Sequence, residues 1–127
     1  MILGIGVDVI EVKRIAEAIE RHGDHFLRRI FTEKEVEYCR SKRAAPLHFA
    51  GRFASKEAAF KALGTGWSGN VRWTDVEVTN LPSGAPEIHF YGRAAELLAE
   101  KAAARAFVSI SHIEGLAAAV VALESDS

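Results

Sequence analysis

The sequence predicts an α+β fold, a small antiparallel sheet packed with helices, in a single domain that covers residues 1–127. Three observations support this fold class. The N-terminus alternates like a strand, the middle of the chain contains several helical segments, and two pairs of strand-like segments follow with a helix between them. This order is typical of an α+β domain. A chain of this length fits one domain with one hydrophobic core.

Composition narrows the classes of function. The formal net charge of −1 does not indicate a nucleic-acid-binding protein, and no apolar stretch is long enough to predict a membrane span. The N-terminus lacks a basic leader, so we expect no signal peptide. The single cysteine, Cys39, excludes an internal disulfide framework and fits a reducing cytosol. We therefore expect a cytoplasmic protein with no nucleic-acid or membrane partner.

Residues 1–10 form the first predicted strand because their side chains alternate with a period of two. One face carries Leu3, Ile5, Val7 and Val9, and the other carries Gly4, Gly6, Asp8 and Ile10. Glycine inside a strand often marks the close approach of a ligand or of another backbone. We therefore expect a groove on the second face, just before a carboxylate.

Helices are predicted over residues 12–22, 24–30, 33–41, 48–63 and 93–104. Thr32 is a good N-cap for the third helix because Glu33 and Glu35 follow it. We expect Pro46 to interrupt regular structure before the fourth helix and Gly64 to end that helix at its C-terminus. Later strands are predicted over residues 71–79, 87–91, 105–112 and 116–123, and the last two are joined by a hairpin turn.

The fourth predicted helix carries an apolar stripe with charged borders. At about 3.6 residues per turn, Phe49, Phe53 and Phe60 share one face, and burial of each contributes about 1.5–3 kcal/mol. Glu57 and Lys61 border this stripe. Burial of an unpaired carboxylate costs more free energy than burial of a Phe side chain gains. Glu57 must therefore lie at a cleft edge, pair with a cation or bind a metal. A surface pair between Glu57 and Lys61, worth about 0.2–0.5 kcal/mol, is the simpler alternative.

Asp8 favours the metal hypothesis because it is a second carboxylate on a mostly apolar element. The alternative role for Asp8 is to cap the next helix from the end of the strand. Mg²⁺ takes oxygen ligands, keeps several waters and is often held by one or two carboxylates together with substrate phosphates. Arg52, Lys56 and Lys61 would supply positive charge for those phosphates. The combination predicts phosphoryl chemistry.

Two further motifs leave alternatives open. The sequence LGTG at residues 63–66 is either a phosphate cradle formed by backbone amides or a helix C-cap followed by a tight turn. The sequence FVSISH ends a predicted strand with Ser111 and His112. Because no G-x-S-x-G elbow is present, we interpret His112 as a phosphate contact or a polar residue at the core edge, and not as a general base.

In its motifs the chain resembles the holo-[acyl-carrier-protein] synthases, the small type of 4′-phosphopantetheinyl transferase. The matching segments are GIGVDVIEVKRI (4–15), FTEKEVEYC (31–39), RFASKEAAFKALGTG (52–66), WTDVEV (73–78) and VSISH (108–112). They follow the family order and span nearly the whole chain. The resemblance implies the 4′-phosphopantetheinyl transferase fold and an enzyme that moves phosphopantetheine from coenzyme A to a serine of apo-acyl carrier protein. It implies release of adenosine 3′,5′-bisphosphate and a role in fatty acid biosynthesis.

The resemblance also implies the roles of individual residues. Asp8 and Glu57 match the carboxylates that would hold Mg²⁺ against the pyrophosphate of coenzyme A, and Lys61 matches the lysine that neutralises the attacked phosphate. Further coenzyme positions are Ser111, His112 and the loop Gly64, Thr65 and Gly66, to which Arg52 and Lys56 add positive charge. Ile10 stands where larger transferases carry another acid, so a third carboxylate ligand is not expected.

Two features of the expected reaction remain open to alternatives. The proton of the acceptor serine passes either to Glu57 or to a metal-bound water, and the water is favoured because a bound cation lowers the pKa of a carboxylate. The function itself has two alternatives: a non-catalytic module that binds coenzyme A or a nucleotide and docks an acidic protein, and a structural trimer with an inert cleft. Asp8 together with Glu57 argues against both, because an inert domain has little reason to point two carboxylates into one groove.

The expected partners are acyl carrier protein and further copies of this chain. Arg14 and Arg21 are seven residues apart and share a face of the first helix, and Arg28 continues this spacing if the break at Gly23 is mild. The family docks its acidic carrier on this helix, where charge serves encounter rate and orientation. A solvated helix face balanced by neighbouring acids is the alternative. Family members form homotrimers with active sites between subunits, so we expect a homotrimer.

Overall fold

The computed structural model describes residues 1–64 and 70–127, and it confirms the predicted α+β fold. The strands in this part of the chain are β1 (Ile2–Glu11), β2 (Val76–Asn80), β3 (Pro86–Phe90), β4 (Arg105–Ile113) and β5 (Leu116–Glu124). The helices are α1 (Val12–His22), α2 (Asp24–Ile30), α3 (Glu33–Arg40), α4 (Ala45–Leu63) and α5 (Gly92–Glu100), and a 3₁₀ turn covers Trp73–Asp75.

The strands form two antiparallel sheets. The larger sheet has the order β1-β5-β4, so the first strand pairs with the last, and the smaller sheet is the β2-β3 hairpin. The long helix α4 packs against β1, β5, β4 and β2. It therefore connects both sheets, and it carries four of the charged residues singled out in the sequence: Arg52, Lys56, Glu57 and Lys61.

The glycine face of β1 lies directly against the backbone of α4. A Cβ atom placed on Gly6 would overlap the carbonyl group of Ala58, and one placed on Gly4 would overlap the carbonyl oxygen of Ala62. The groove expected on this face is thus filled by a helix backbone, one of the two occupants that strand glycines indicate. Asp8 is the next residue on the same face, so this close packing brings its carboxylate to the side of α4.

The opposite face of β1 is not covered within one chain. Ile5, Val7 and Val9 are 63%, 53% and 61% exposed. Neighbouring exposed apolar residues on β4 and β5 extend this surface, which we call the apolar sheet face: Ile5, Val7, Val9, Phe107, Ile113, Leu116 and Val120. Contiguous apolar surface of this kind often marks an interaction site.

The hydrophobic core described by the structure has two parts, one along the N-terminal part of α4 and the other along its C-terminal part. Phe49 packs with Phe31 and Leu27 beneath α2 and α3. Phe60 packs with Val76, Val121 and other buried residues of the sheets. The apolar stripe predicted for the long helix therefore serves both parts, and Phe53, at its centre, is only half-buried and stacks on Trp73 with ring centroids 4.9 Å apart.

Several element boundaries differ from the sequence predictions for local reasons. Helix α4 begins at Ala45, three residues early, because Pro46 lies in its first turn, where no amide hydrogen bond is lost. Strand β2 begins only at Val76, since the preceding residues form the 3₁₀ turn, in which the Asp75 carboxylate accepts a hydrogen bond from the Arg72 amide at 3.1 Å. Helix α5 stops at Glu100, and Ala102 then takes a positive φ of 61°.

None of the helices described in residues 1–64 and 70–127 is long and apolar enough to cross a membrane.

Candidate active site

Asp8 of β1 and Glu57 of α4 line one cleft of about 370 Å³. The cleft also includes Arg14 from α1 and the aromatic rings of Phe26 and Phe53. Asp8 does not cap the following helix, since Glu11 occupies that N-cap position without a side-chain bond. The two carboxylates singled out from the sequence are thus brought to one site by the packing of β1 on α4.

Lys61 contacts Asp8, not Glu57. Its ammonium nitrogen Nζ lies 3.3 Å from Oδ1 of Asp8 and donates a hydrogen bond to the carbonyl oxygen of Val7 at 2.9 Å. Among the ion pairs of the described residues, Lys61 has no pair with Glu57, so the surface pair expected as the simpler alternative does not form. The ammonium instead reaches across to the strand and places positive charge beside both carboxylates.

The carboxyl group of Glu57 is electrostatically perturbed. Its pKa is raised above the ordinary value of 4.5, first by partial burial and then by the negative charge of Asp8, while the ammonium of Lys61 opposes the shift. A carboxyl group whose pKa is raised by a neighbouring carboxylate lies at a site where a cation is favoured. Perturbed groups in a cleft are candidates for function.

The donor set fits Mg²⁺. Asp8 and Glu57 supply hard oxygen ligands beside an open cleft that admits water, and this ion is often held by one or two carboxylates plus phosphates. No group of three or more His, Cys, Asp or Glu residues in the described part of the chain could hold a metal.

Lys56 is not in the cleft, which corrects its assignment as a phosphate contact. Its side chain is fully buried, and its ammonium lies 2.8 Å from Oε1 of Glu35. It also donates hydrogen bonds to the carbonyl oxygens of Trp73, at 3.1 Å, and Val76. A buried cation with a complete set of partners gains nothing by leaving them for a ligand, so Lys56 holds α4 to α3 and to the start of β2.

Arg52 and His112 line a second cavity, of about 230 Å³, on the other side of α4. Arg52 is buried, donates a hydrogen bond to Oδ1 of Asn80, and lies with its Cζ 4.2 Å from the ring centroid of Tyr38. Its buried Nε has no hydrogen-bond partner among the described residues. His48 also lines this cavity, with its ring centroid 5.9 Å from that of His112. The cavity therefore concentrates positive and ionisable groups.

The other residues predicted to contact the coenzyme do not all lie in one cavity. Ser111 precedes His112 on β4, so it points to the opposite face of the sheet and does not line the second cavity. Within one chain, the expectation that both residues line one cleft is therefore not met. Gly64 ends α4 in the left-handed region, with φ 79°, as predicted for a C-cap. Thr65 and Gly66 lie outside the described residues.

Two of the three arginines assigned to the carrier share a helix. Arg14 and Arg21 are exposed on α1, and Arg14 borders the carboxylate cleft. Arg28 does not continue their face, because Gly23 adopts φ 54° and ψ −133° and breaks the chain into two helices. Arg28 instead lines a groove between α2 and α3, and its guanidinium is 3.8 Å from Asp24.

Sequence reasoning missed the partner of Lys56, which is Glu35, and one residue of the second cavity, which is His48. Glu35 was noted only as part of a helix start, although its carboxylate partners Lys56 and accepts a hydrogen bond from the Val78 amide at 2.8 Å. No local signal pairs Glu35 with a lysine 21 positions away. His48 was not singled out, although it stands one helical turn before Arg52, a spacing that places both on one face of a helix.

The chain is similar to known proteins in both sequence and fold. The family profile described as the 4′-phosphopantetheinyl transferase superfamily matches residues 4–121. A holo-[acyl-carrier-protein] synthase of Koribacter versatilis is 52% identical, over 98% of this chain and 99% of the relative. The crystal structure of the holo-[acyl-carrier-protein] synthase of Neisseria meningitidis has a TM-score of 0.88 at 36% identity, covering 98% of this chain and 100% of that one.

A further solved structure carries a ligand. The Helicobacter pylori holo-[acyl-carrier-protein] synthase, in complex with coenzyme A, has a TM-score of 0.83 at 32% identity and covers 94% of this chain and 99% of that one. The resemblance stated from the sequence is confirmed on all three comparisons. The chain belongs to the 4′-phosphopantetheinyl transferase superfamily and, within it, to the holo-[acyl-carrier-protein] synthase enzymes.

Proposed function

We propose that this enzyme transfers 4′-phosphopantetheine from coenzyme A to a serine of apo-acyl carrier protein in a Mg²⁺-dependent reaction that releases adenosine 3′,5′-bisphosphate. It serves fatty acid biosynthesis in the cytoplasm. The observation that carries the proposal is the convergence of Asp8 and Glu57 on one cleft, with the ammonium of Lys61 beside them. Phosphoryl transfer needs positioning and charge neutralisation more than covalent chemistry from the protein, and these three side chains supply both.

Each residue of the cleft has a distinct task in this proposal. Asp8 and Glu57 would hold Mg²⁺, which when bound supplies Lewis-acid stabilisation of the phosphoryl oxygens. Lys61 is half-exposed and anchored to the Val7 carbonyl at 2.9 Å, so its ammonium is aimed and remains free to approach a phosphate oxygen. Its charge offsets the negative charge that builds up at the reacting phosphate.

The acceptor serine must lose its proton as it attacks. Two acceptors fit the cleft: the carboxylate of Glu57 and a water molecule held there. The raised pKa of Glu57 makes its free carboxylate a better base than an ordinary glutamate, whereas a bound cation would lower that pKa again. A carboxylate engaged with the cation leaves the water as the better acceptor.

The second cavity and the apolar sheet face support a homotrimer. Arg52 and His112 provide positive charge for the coenzyme on the side of α4 away from Asp8 and Glu57. A coenzyme that spans two subunits would use the carboxylate cleft of one and the second cavity of the other. The apolar sheet face, with Ile5, Val7 and Val9 each more than half exposed, is the surface that neighbouring copies would cover.

Mass spectrometry of the carrier tests the proposed reaction. Incubation of the protein with Mg²⁺, coenzyme A and apo-acyl carrier protein should add one phosphopantetheine to the carrier, and a chelator should prevent the addition. A carrier whose acceptor serine is replaced by alanine serves as the matched control. An unchanged mass with several well-folded carriers would contradict the transferase and favour a module that only binds coenzyme A.

The docking face has its own test. Arg14 is exposed at the rim of the carboxylate cleft, so an acidic carrier helix that meets it would place its serine near Lys61. Arg14→Glu should raise the KM for the carrier and leave the affinity for coenzyme A unchanged, because charge at the rim chiefly affects encounter. Lys34→Glu, which changes an exposed cation on α3, is the matched control. Weaker coenzyme binding in Arg14→Glu would place the carrier face elsewhere.

A further inference from the structure

We propose that His48 is a further coenzyme-binding residue, whose imidazolium joins Arg52 and His112 in holding a phosphate group of coenzyme A at the second cavity. The inference rests on the proposed function, since it takes coenzyme A as the ligand. The sequence alone gives His48 no role. It makes the affinity of this particular chain for its coenzyme depend on pH.

The position of His48 follows from the pitch of α4. His48 and Arg52 are four residues apart, so their side chains leave the same face of the helix. His112 approaches from β4, and its ring lies edge-on to that of His48 with centroids 5.9 Å apart. Tyr38 on α3 also lines the cavity, with its ring centroid 6.0 Å from that of His48. Three separate elements thus direct nitrogen-bearing or aromatic groups into one cavity.

Arg52 indicates that an anion belongs in this cavity. Its side chain is 97% buried, yet its Nε has no hydrogen-bond partner among the described residues. A buried donor without an acceptor costs about 1–3 kcal/mol, so an anionic oxygen that accepted this hydrogen would recover that free energy. Planar guanidinium groups bind phosphate through such paired N–H groups.

The charges that face His48 make it responsive to an anion. Partial burial lowers its pKa from the ordinary 6.5, and the positive charges of His112, Arg52 and Lys42 lower it further. Lys42 comes from the segment after α3 and lies over the Tyr38 ring at 4.8 Å from the centroid. A phosphate bound among these cations would reverse their effect, so His48 takes up a proton when the coenzyme binds.

The proposed role of His48 predicts tighter binding of coenzyme A at lower pH. Because the pKa of His48 is higher in the complex than in the free protein, protonation favours the complex. The affinity for coenzyme A therefore rises as pH falls through the interval between the two pKa values. At high pH, His48 is neutral in both states and contributes little charge.

Isothermal titration calorimetry with coenzyme A and Mg²⁺, in the absence of carrier, measures this effect. We expect His48→Gln to bind about tenfold more weakly than the parent chain near pH 5.5, as for loss of a charge-assisted hydrogen bond, and almost equally near pH 8. Titrations in buffers of different ionisation enthalpy should show that the variant takes up fewer protons on binding. His25→Gln, an exposed histidine on α2, is the matched control and should behave as the parent chain.

A second variant separates charge from shape. His48→Arg keeps a cation at every pH, so it should bind coenzyme A tightly at both ends of the range and lose the part of the pH dependence that His48→Gln loses. The comparison with 3′-dephospho-coenzyme A identifies the phosphate: a difference between parent and His48→Gln that disappears assigns the 3′-phosphate, and one that persists assigns the diphosphate.

The outcomes distinguish this inference from the proposed function. Equal affinities and equal proton uptake for His48→Gln and the parent chain at both pH values would overturn the role of His48 and leave the transferase intact. A parent chain that binds no coenzyme A at any pH would overturn the proposed function itself.

Discussion

Lys56 and Lys61 lie five residues apart on α4 and carry the same charge, but one side chain is buried and the other is half-exposed. The Lys56 side chain is 0% exposed, and its ammonium has Glu35 and two backbone carbonyls as partners. The Lys61 side chain is 53% exposed and lies 3.3 Å from Asp8. Both lysines belong to the one segment, RFASKEAAFKALGTG, that the sequence connects with phosphoryl chemistry.

The difference shows how burial separates a charge that holds the fold together from one that remains available to a ligand. Removing two charges from water is costly, and a buried pair is stable only while every partner stays in place. Exposed pairs contribute about 0–1 kcal/mol, so their partners exchange easily for a ligand. Lys56 is thus committed to the fold, whereas the half-exposed Lys61 can move towards a substrate at little cost.

The largest expected effect comes from breaking the buried pair. Glu35→Gln leaves the Lys56 ammonium without its counter-charge in the interior, so the free energy of unfolding should fall by about 3–5 kcal/mol. Urea denaturation followed by circular dichroism measures this loss. Glu33→Gln, an exposed acid on the same helix, is the matched control and should change stability by less than about 0.5 kcal/mol. A loss below about 1 kcal/mol in Glu35→Gln would mean that the buried pair is not required.

Asp8→Asn should reduce the rate of transfer strongly and change the stability only slightly, the opposite of the pattern expected from a variant of the buried pair. Removing this carboxylate takes away one proposed ligand of the cation, and the rate of transfer should fall by about 100- to 1,000-fold. The free energy of unfolding should change by less than about 1 kcal/mol, since only a loose pair with Lys61 is lost. Steady-state kinetics and urea denaturation test both statements, with Glu11→Gln at the end of the same strand as control. Near-normal turnover would remove Asp8 from the cation site.

Lys61→Met should reduce turnover by about 10- to 100-fold, because one charge-assisted hydrogen bond to the reacting phosphate is worth about 1.5–3 kcal/mol. Its stability should stay close to that of the parent chain. The control is Lys34→Met, an exposed lysine on α3. If Lys61→Met lost as much stability as Glu35→Gln, the contrast between the two lysines would not hold.

The smallest effect is a pH dependence of stability from Glu57. Its pKa in the folded protein lies above the ordinary 4.5, so the folded state binds more protons than the unfolded state just above that pH. The contribution of Glu57 to the free energy of unfolding therefore falls as pH rises through the interval between the two pKa values. Without divalent cations, Glu57→Gln should gain stability relative to the parent chain between about pH 4 and about pH 7. A difference that is independent of pH, or that has the opposite sign, would contradict the shifted pKa.

Much of the fold was predictable because its signals are local. Thr32 and Glu35 form a reciprocal capping box at the start of α3, a pattern contained in four consecutive residues. The alternation in β1 correctly separated its two faces, and Gly64 ended α4 as expected. The errors at Pro46 and at the start of β2 are also local, since proline is tolerated in a first helical turn and a short 3₁₀ turn leaves little periodic signal.

The sequence by itself determined the family, through a pattern that spans nearly the whole chain, and it singled out two acids and a lysine as the residues proposed to carry the chemistry. Only the tertiary structure decided how they are used. In the folded chain, Lys61 pairs with Asp8, 53 positions away, and Lys56 is buried against Glu35. The face of β1 that carries Ile5, Val7 and Val9 is exposed. These outcomes depend on which surfaces meet when β1 packs its glycines on α4. Burial and charge pairing between distant segments are properties of that contact, and no single segment contains them.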